Sequence, residues 1–131
     1  MSIAKGDTDL AAHKVKVIKL SGNLNSTNSQ EFRQNITQFI ENGAKIVLVD
    51  FQDVTFMDSS GLGALVLAFK TLKAADIKLV LCSINEQVRI LFELTNMDKV
   101  FEIFPSQDAF NREQRDLVRS DKKSAIVKNY I

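Results

Sequence analysis

The chain has 131 residues, 45% of them apolar, and a formal net charge of +1. That length and apolar content suit one domain with a real core and exclude a globally disordered chain. The near balance of charge argues against a nucleic-acid-binding protein, whose footprint would be strongly basic. The single cysteine, Cys82, stands in an apolar run; it allows no internal disulfide and fits a reducing compartment. No stretch approaches the roughly 18–20 apolar residues of a membrane span. The N-terminus "MSIAKGDTDLAAHK" lacks the apolar stretch of a secretion signal, so a cytoplasmic protein is expected.

In chain order, residues 1–13 are polar and weakly patterned, and fit either a short edge strand or loose chain. "VKVIKLSG" (15–22) places Val15 and Val17 on one face, after which Ile18 and Leu20 shift the phase. That pattern suits a strand that is bulged or covered on both faces. A helix follows, because Phe32, Ile36, Phe39 and Ile40 recur at i, i+4, i+7 and i+8. Ser26, Thr27, Asn28 and Ser29 are candidate N-caps for it, and Gly43 suits its end. "KIVLVDF" (45–51) is an apolar run rich in β-branched residues, the mark of a strand buried on both faces.

After the motif "FMDSSGLG" (56–63), "LGALVLAFKTLKAA" reads as a second helix and "IKLVLCSI" (77–84) as another buried strand. "EQVRILFEL" is a third helix with Val88, Leu91 and Phe92 inward. Ser83 with Glu86 has capping-box spacing, Asn85 is a rival cap, and Asn96 suits the helix end. "KVFEIF" (99–104) alternates as a strand up to Pro105, and Ser106 caps a fourth helix over roughly 107–118. Alternating strands and helices imply a parallel sheet joined by crossovers, with sites favoured at the carboxyl ends of strands. The motif follows the strand at 45–51 and falls at such an end.

Several chemistries can be weighed at that motif. Serine nucleophilic catalysis needs a base, yet the one histidine, His13, lies in the weakly patterned N-terminal region, and the G-x-S-x-G elbow is absent. Gly61 and Gly63 begin a G-x-G, but position 66 is valine, and no G-x-x-x-x-G-K occurs. One Cys, one His and no H-E-x-x-H leave metal binding without support, so neither metal nor cofactor is expected. Asp50, Asp53 and Asp58 could gather near one strand end as a phosphoacceptor site; the plainer reading gives Asp53 to a turn and Asp58 to a helix start. Asp58, Ser59 and Ser60 are each able to cap the helix. Capping needs only one of them, and it leaves unexplained two glycines, each costing about 1 kcal/mol against alanine inside a helix.

The helix supplies a further clue. A 100° step puts Leu62, Leu65, Val66 and Phe69 on the core side. The far side then carries Ser60, Gly63, Ala64, Leu67, Thr71 and Ala74, where a solvated face would carry Lys and Glu. Small residues with one leucine suit close approach by another backbone. That backbone belongs either to another part of this chain or, as favoured here, to a partner.

"FMDSSGLGALV" resembles the signature of bacterial anti-sigma-factor antagonists, the small stand-alone STAS domains. The resemblance runs from about Val15 to Phe110 and takes in "LSGNLN", "VLVDFQDVTFMDSSGLG" and "LCSINEQVRILFELTNMDKVFEIF". It implies the α/β STAS fold: a mostly parallel four- to five-stranded sheet with about four helices, filling residues 1–118, with 119–131 as a charged tail, loose or helical. It also implies a binding protein and not an enzyme. The unphosphorylated antagonist binds an anti-sigma factor that is also a serine kinase, and sigma factor is freed. Phosphorylation of the serine after the motif aspartate, here Ser59, weakens the complex, and a serine phosphatase resets it. On this mapping Asp58, Ser60, Gly61, Gly63, Ala64 and Leu67, with Asn23 and Asn25 on the earlier turn, form the partner surface. One departure stands out. The family often has acids at that turn, as in G-E-L-D, where this chain has Gly22, Asn23, Leu24 and Asn25. The neutral amides are the main support for the alternative, a STAS scaffold or sensor module in a signalling or transport assembly that is never phosphorylated.

Overall fold

The computed structural model describes the backbone of residues 2–10 and 13–116 and the side chains of residues 15–116. Five strands and the helices between them follow one another as β1 (Ser2–Leu10), β2 (His13–Leu24), α1 (Ser29–Glu41), β3 (Ile46–Met57), α2 (Ser59–Ala74), β4 (Lys78–Cys82), α3 (Glu86–Leu94), a 3₁₀ turn (Met97–Lys99) and β5 (Glu102–Phe104). Residues 107–116 then form α4. The expected tail at 119–131, and the last two residues of the expected fourth helix, lie outside the described residues.

The sheet order is β1-β2-β3-β4-β5, with β1 antiparallel to β2 and the other pairs parallel. Each crossover steps to the next strand in the same direction. With a constant hand, the three crossover helices must then lie on one face of the sheet. They do: Phe32 and Ile36 of α1, Leu65 and Leu72 of α2, and Val88 and Phe92 of α3 share one buried cluster with Ile18, Val49, Phe51 and Leu81. The opposite face carries Val15, Val17, Leu48, Val80 and Cys82 and is closed by Phe110 of α4. β2 is therefore covered on both faces, and a register irregularity falls between Lys19 and Ser21, as its pattern suggested. Each fully buried Leu, Ile or Phe contributes roughly 1.5–3 kcal/mol over leaving it exposed.

Four boundaries differ from the sequence reading. β3 continues to Met57, beyond the apolar run, because the bulged end of β2 stays paired with it: Ser21 opposes Asp53, Gly22 opposes Val54 and Leu24 opposes Met57. The helix after the motif starts at Ser59, so both serines belong to its first turn. β4 is shorter than 77–84. The stretch 99–104 is strand only from Glu102, since left-handed Asn96 (φ 60°) ends the α3 region and starts the 3₁₀ turn. At the N-terminal end, residues 2–10 resolve the open choice as an edge strand.

Candidate functional site

Asp58 is the N-cap of α2. Its backbone is extended (φ −97°, ψ −177°), and its carboxylate accepts from the Gly61 N–H at 2.9 Å. The first internal bond of the helix follows, from the Leu62 N–H to the Asp58 carbonyl at 3.0 Å. Capping thus belongs to Asp58, and the two serines are released from it. Ser59 and Ser60 are exposed in the first turn. Their backbone N–H groups precede that first internal bond and contribute to the positive end of the macrodipole.

The motif is clamped from both sides. On the β2 side the Asp58 N–H donates to the Leu24 carbonyl at 3.3 Å. Gly61 packs so closely there that a β-carbon would lie 2.2 Å from the Leu24 oxygen. On the other side β3 outruns β4, whose last residue, Cys82, opposes Asp50. The open edge is closed by side chains from the start of α3. Gln87 Oε1 accepts from the Met57 N–H at 2.9 Å and Gln87 Nε2 donates to the Met57 carbonyl at 2.8 Å. Asn85 Nδ2 donates to the Val54 carbonyl at 3.0 Å, while its Oδ1 caps α3 through the Val88 N–H at 2.9 Å. Two amide side chains therefore act as the missing strand, because buried backbone groups demand partners. Asn85, the rival cap in the sequence, is the true one.

Asn23 and Asn25 border the motif across β2. Asn23 Oδ1 accepts from Thr55 Oγ1 at 2.9 Å. Asn25 Oδ1 accepts from the Thr27 N–H at 3.0 Å and from Thr27 Oγ1 at 2.6 Å, and the Asn25 N–H donates to Asn28 Oδ1 at 3.0 Å. Both amides use their oxygens, an acceptor role that a carboxylate also fills.

The expected partner surface needs two corrections, at Ala64 and Gly61. Ala64 was expected outside but is 8% exposed, and the buried stripe of α2 is Gly61, Leu62, Ala64, Leu65, Ala68 and Leu72. The helix packs against α1 as well as the sheet, so some of its small residues serve a contact within the chain. Gly61 is buried too, for the reason given above. Ser60, Gly63 and Leu67 remain outward, Leu67 being 47% exposed and Gly63 having open space where a β-carbon would be. Phe56, 48% exposed three residues before Ser59, adds an apolar side chain to this end of the sheet. Sequence reading passed over it and over Gln87. The signal for Phe56 was the loss of alternation in "VTFM", where burial skips to every third residue.

The carboxylates do not assemble. Asp50 is 2% exposed and accepts from the Gln52 N–H at 2.9 Å, Asp53 is exposed and pairs with Lys19 at 3.6 Å, and Asp58 caps α2. Among the described residues no group of His, Cys, Asp and Glu could hold a metal ion. His13 begins β2, which runs parallel to β3, so it lies at the opposite end of the sheet from Ser59. Cys82 is fully buried; desolvation first, then the neighbouring Asp50 charge, pushes its thiol up to about 12. No helix among the described residues is long and apolar enough to cross a membrane.

The geometry is that of an α/β module with its crossover helices on one face and an exposed serine at a capped helix start beyond a buried strand. Residues 10–109 match the STAS domain family, and the chain belongs to that family. It is 28% identical over 90 residues to the putative anti-sigma factor antagonist BtrV of Bordetella bronchiseptica, spanning 69% of this chain and 78% of that protein. Among solved structures, a putative anti-sigma factor antagonist from Thermotoga maritima aligns with a TM-score of 0.73 at 24% identity, covering 85% of this chain and 94% of that one. The anti-sigma factor antagonist SpoIIAA in its unphosphorylated form aligns with a TM-score of 0.62 at 23% identity, covering 88% and 98%. SpoIIAA has also been solved in its phosphorylated form, which covers 83% of this chain and 98% of that one with a TM-score of 0.61 and 23% identity.

Proposed function

We propose that the protein is a phosphorylation-switched anti-sigma-factor antagonist. Unphosphorylated, it binds an anti-sigma factor that is also a serine kinase, and sigma factor is released. Phosphate on Ser59 weakens that complex, and a serine phosphatase restores it. The observation that carries this reading is the division of labour at the start of α2: Asp58 does the capping, which leaves Ser59 exposed with its hydroxyl outside the cap. The relatives' names, anti-sigma factor antagonists, support the same role.

A phosphoserine carries about −1.5 to −2 charges at neutral pH. At a helix N-terminus, free N–H groups and the dipole accommodate that anion, so the modified domain stays folded. Pressed against a partner surface shaped for a neutral serine, the same dianion is strongly unfavourable. The switch then acts on binding and not on folding.

The test uses the purified anti-sigma factor kinase of the same organism with ATP. Mass spectrometry should find one phosphate on Ser59, and none on Ser59→Ala. Phosphate on Ser60 alone overturns the assignment. Ser59→Glu should keep its circular dichroism spectrum and lose affinity; unchanged affinity would sink the switch. The neutral Asn23 and Asn25 favour a second reading, an unphosphorylated scaffold or sensor, which predicts no modification at either serine in this assay.

A further inference from the structure

Two turns beyond Ser59, α1 and α2 leave a groove of about 170 Å³ lined by Arg33, Ile36, Thr37, Leu67, Ala68 and Thr71. Its floor is apolar, with Ile36 and Ala68 each 2% exposed, and Leu67 stands at its rim with 47% of its surface in solvent. The hydroxyl protons of the two threonines are already used within their own helices. The Thr37 hydroxyl donates to the Arg33 carbonyl at 3.2 Å and the Thr71 hydroxyl to the Leu67 carbonyl at 2.8 Å. The one charged lining group is the Arg33 guanidinium, exposed and with no carboxylate partner among the described residues. Leu67 is four residues after Gly63 and seven after Ser60, so the groove continues the outward stripe of α2 that starts at the motif.

We infer that this groove is a second docking point for the anti-sigma factor: it takes one apolar side chain of the partner, with a partner carboxylate beside it pairing with Arg33. The apolar floor and a cation with no carboxylate partner among the described residues together fit an apolar residue flanked by an acid better than a basic or purely polar segment. An exposed leucine beside an apolar recess has the character of an interface anchor, and an arginine at its edge can pair with a carboxylate through two parallel bonds. The groove would add affinity that does not depend on the charge state of Ser59, and so would set how tightly the unphosphorylated protein holds its partner. This inference rests on the antagonist reading above.

The experiment measures affinity of the full chain for the same purified anti-sigma factor, by calorimetry, for wild type, Leu67→Ala, Arg33→Ala, Arg33→Glu and Ser59→Glu. All the altered positions are exposed, and circular dichroism checks that the fold persists. Thr37→Tyr, which obstructs the groove from its rim, is the second probe should Leu67→Ala fail to fold. Leu67→Ala and Arg33→Glu should each weaken binding about tenfold, and the Arg33→Ala effect should shrink as salt rises. Wild-type affinity in all the groove variants, with Ser59→Glu still impaired, overturns the groove and leaves the antagonist reading standing. No binding by the wild type removes both. Self-association that Leu67→Ala abolishes, at unchanged partner affinity, gives the groove to a second copy of the chain and overturns the proposal.

Discussion

A β-carbon on Gly61 would lie 2.2 Å from the carbonyl oxygen of Leu24, and 2.8 Å from its carbonyl carbon. This contact joins the end of β2 to the first turn of α2 and fixes the height at which Ser59 is presented. The obstructing atoms are backbone, held in the sheet and already accepting from the Asp58 N–H. Gly61→Ala should therefore destabilise the domain by about 2–4 kcal/mol, in the range of a clash that the core cannot relax. Gly63 meets nothing within 4 Å. Gly63→Ala should stabilise by up to about 1 kcal/mol, the helix-propensity difference. Urea titration of the two variants checks both, and equal effects at the two glycines would contradict the difference in packing.

Gln87 holds both backbone groups of Met57. Gln87→Ala leaves a buried N–H and C=O without partners, and should cost about 2 kcal/mol. Exchange of the Met57 amide proton, followed by NMR, should accelerate more than that of Leu48, which lies where β4 still pairs. Equal acceleration at both would mean global loosening and not release of the motif.

Among the described residues the side-chain bonds of Asn23 and Asn25 are accepted at Oδ1, a role that a carboxylate also fills. Asn23→Asp with Asn25→Asp should change stability by less than about 0.5 kcal/mol, as for surface positions in general. If the amides tune recognition, the same variant should alter the rate of Ser59 phosphorylation in the kinase assay. Thermal melts and initial rates measured together separate the two effects.

Cys82 gives a pH prediction. Its thiol binds its proton more tightly folded than unfolded, because burial and the Asp50 charge disfavour the thiolate. A raised acid contributes full stability below its unfolded value, near 9, and loses it as pH climbs toward the folded value of about 12. Native protein at pH 8 should react with a thiol reagent only as fast as it unfolds, and Cys82→Ala should flatten the alkaline fall in stability. Rapid labelling of folded protein would show that the thiol is open to solvent.

The strands and helices were legible in the chain because their burial is periodic. "KIVLVDF" declares a strand covered on both faces, and Phe32, Ile36 and Phe39 declare the inner face of α1. The motif was legible because three cap-competent residues with two glycines exceed what a helix start requires. The sequence left open which residue caps, and could not separate the two glycines. Both depend on contacts 34–37 positions apart, from Asp58 and Gly61 to Leu24, which no local pattern encodes. Ala64 was misplaced for the same reason: periodicity shows that a helix has a buried side, but its rotation depends on how near α1 comes. The roles of Gln87 and Phe56 likewise arise only because β3 outlasts β4, leaving an edge for an amide side chain to close. The sequence by itself determined the elements and the chemistry available at residues 56–63. The tertiary structure decided which of those residues is tied down and which is free, because burial, clash and hydrogen-bond partners at a site are supplied by distant segments of the chain.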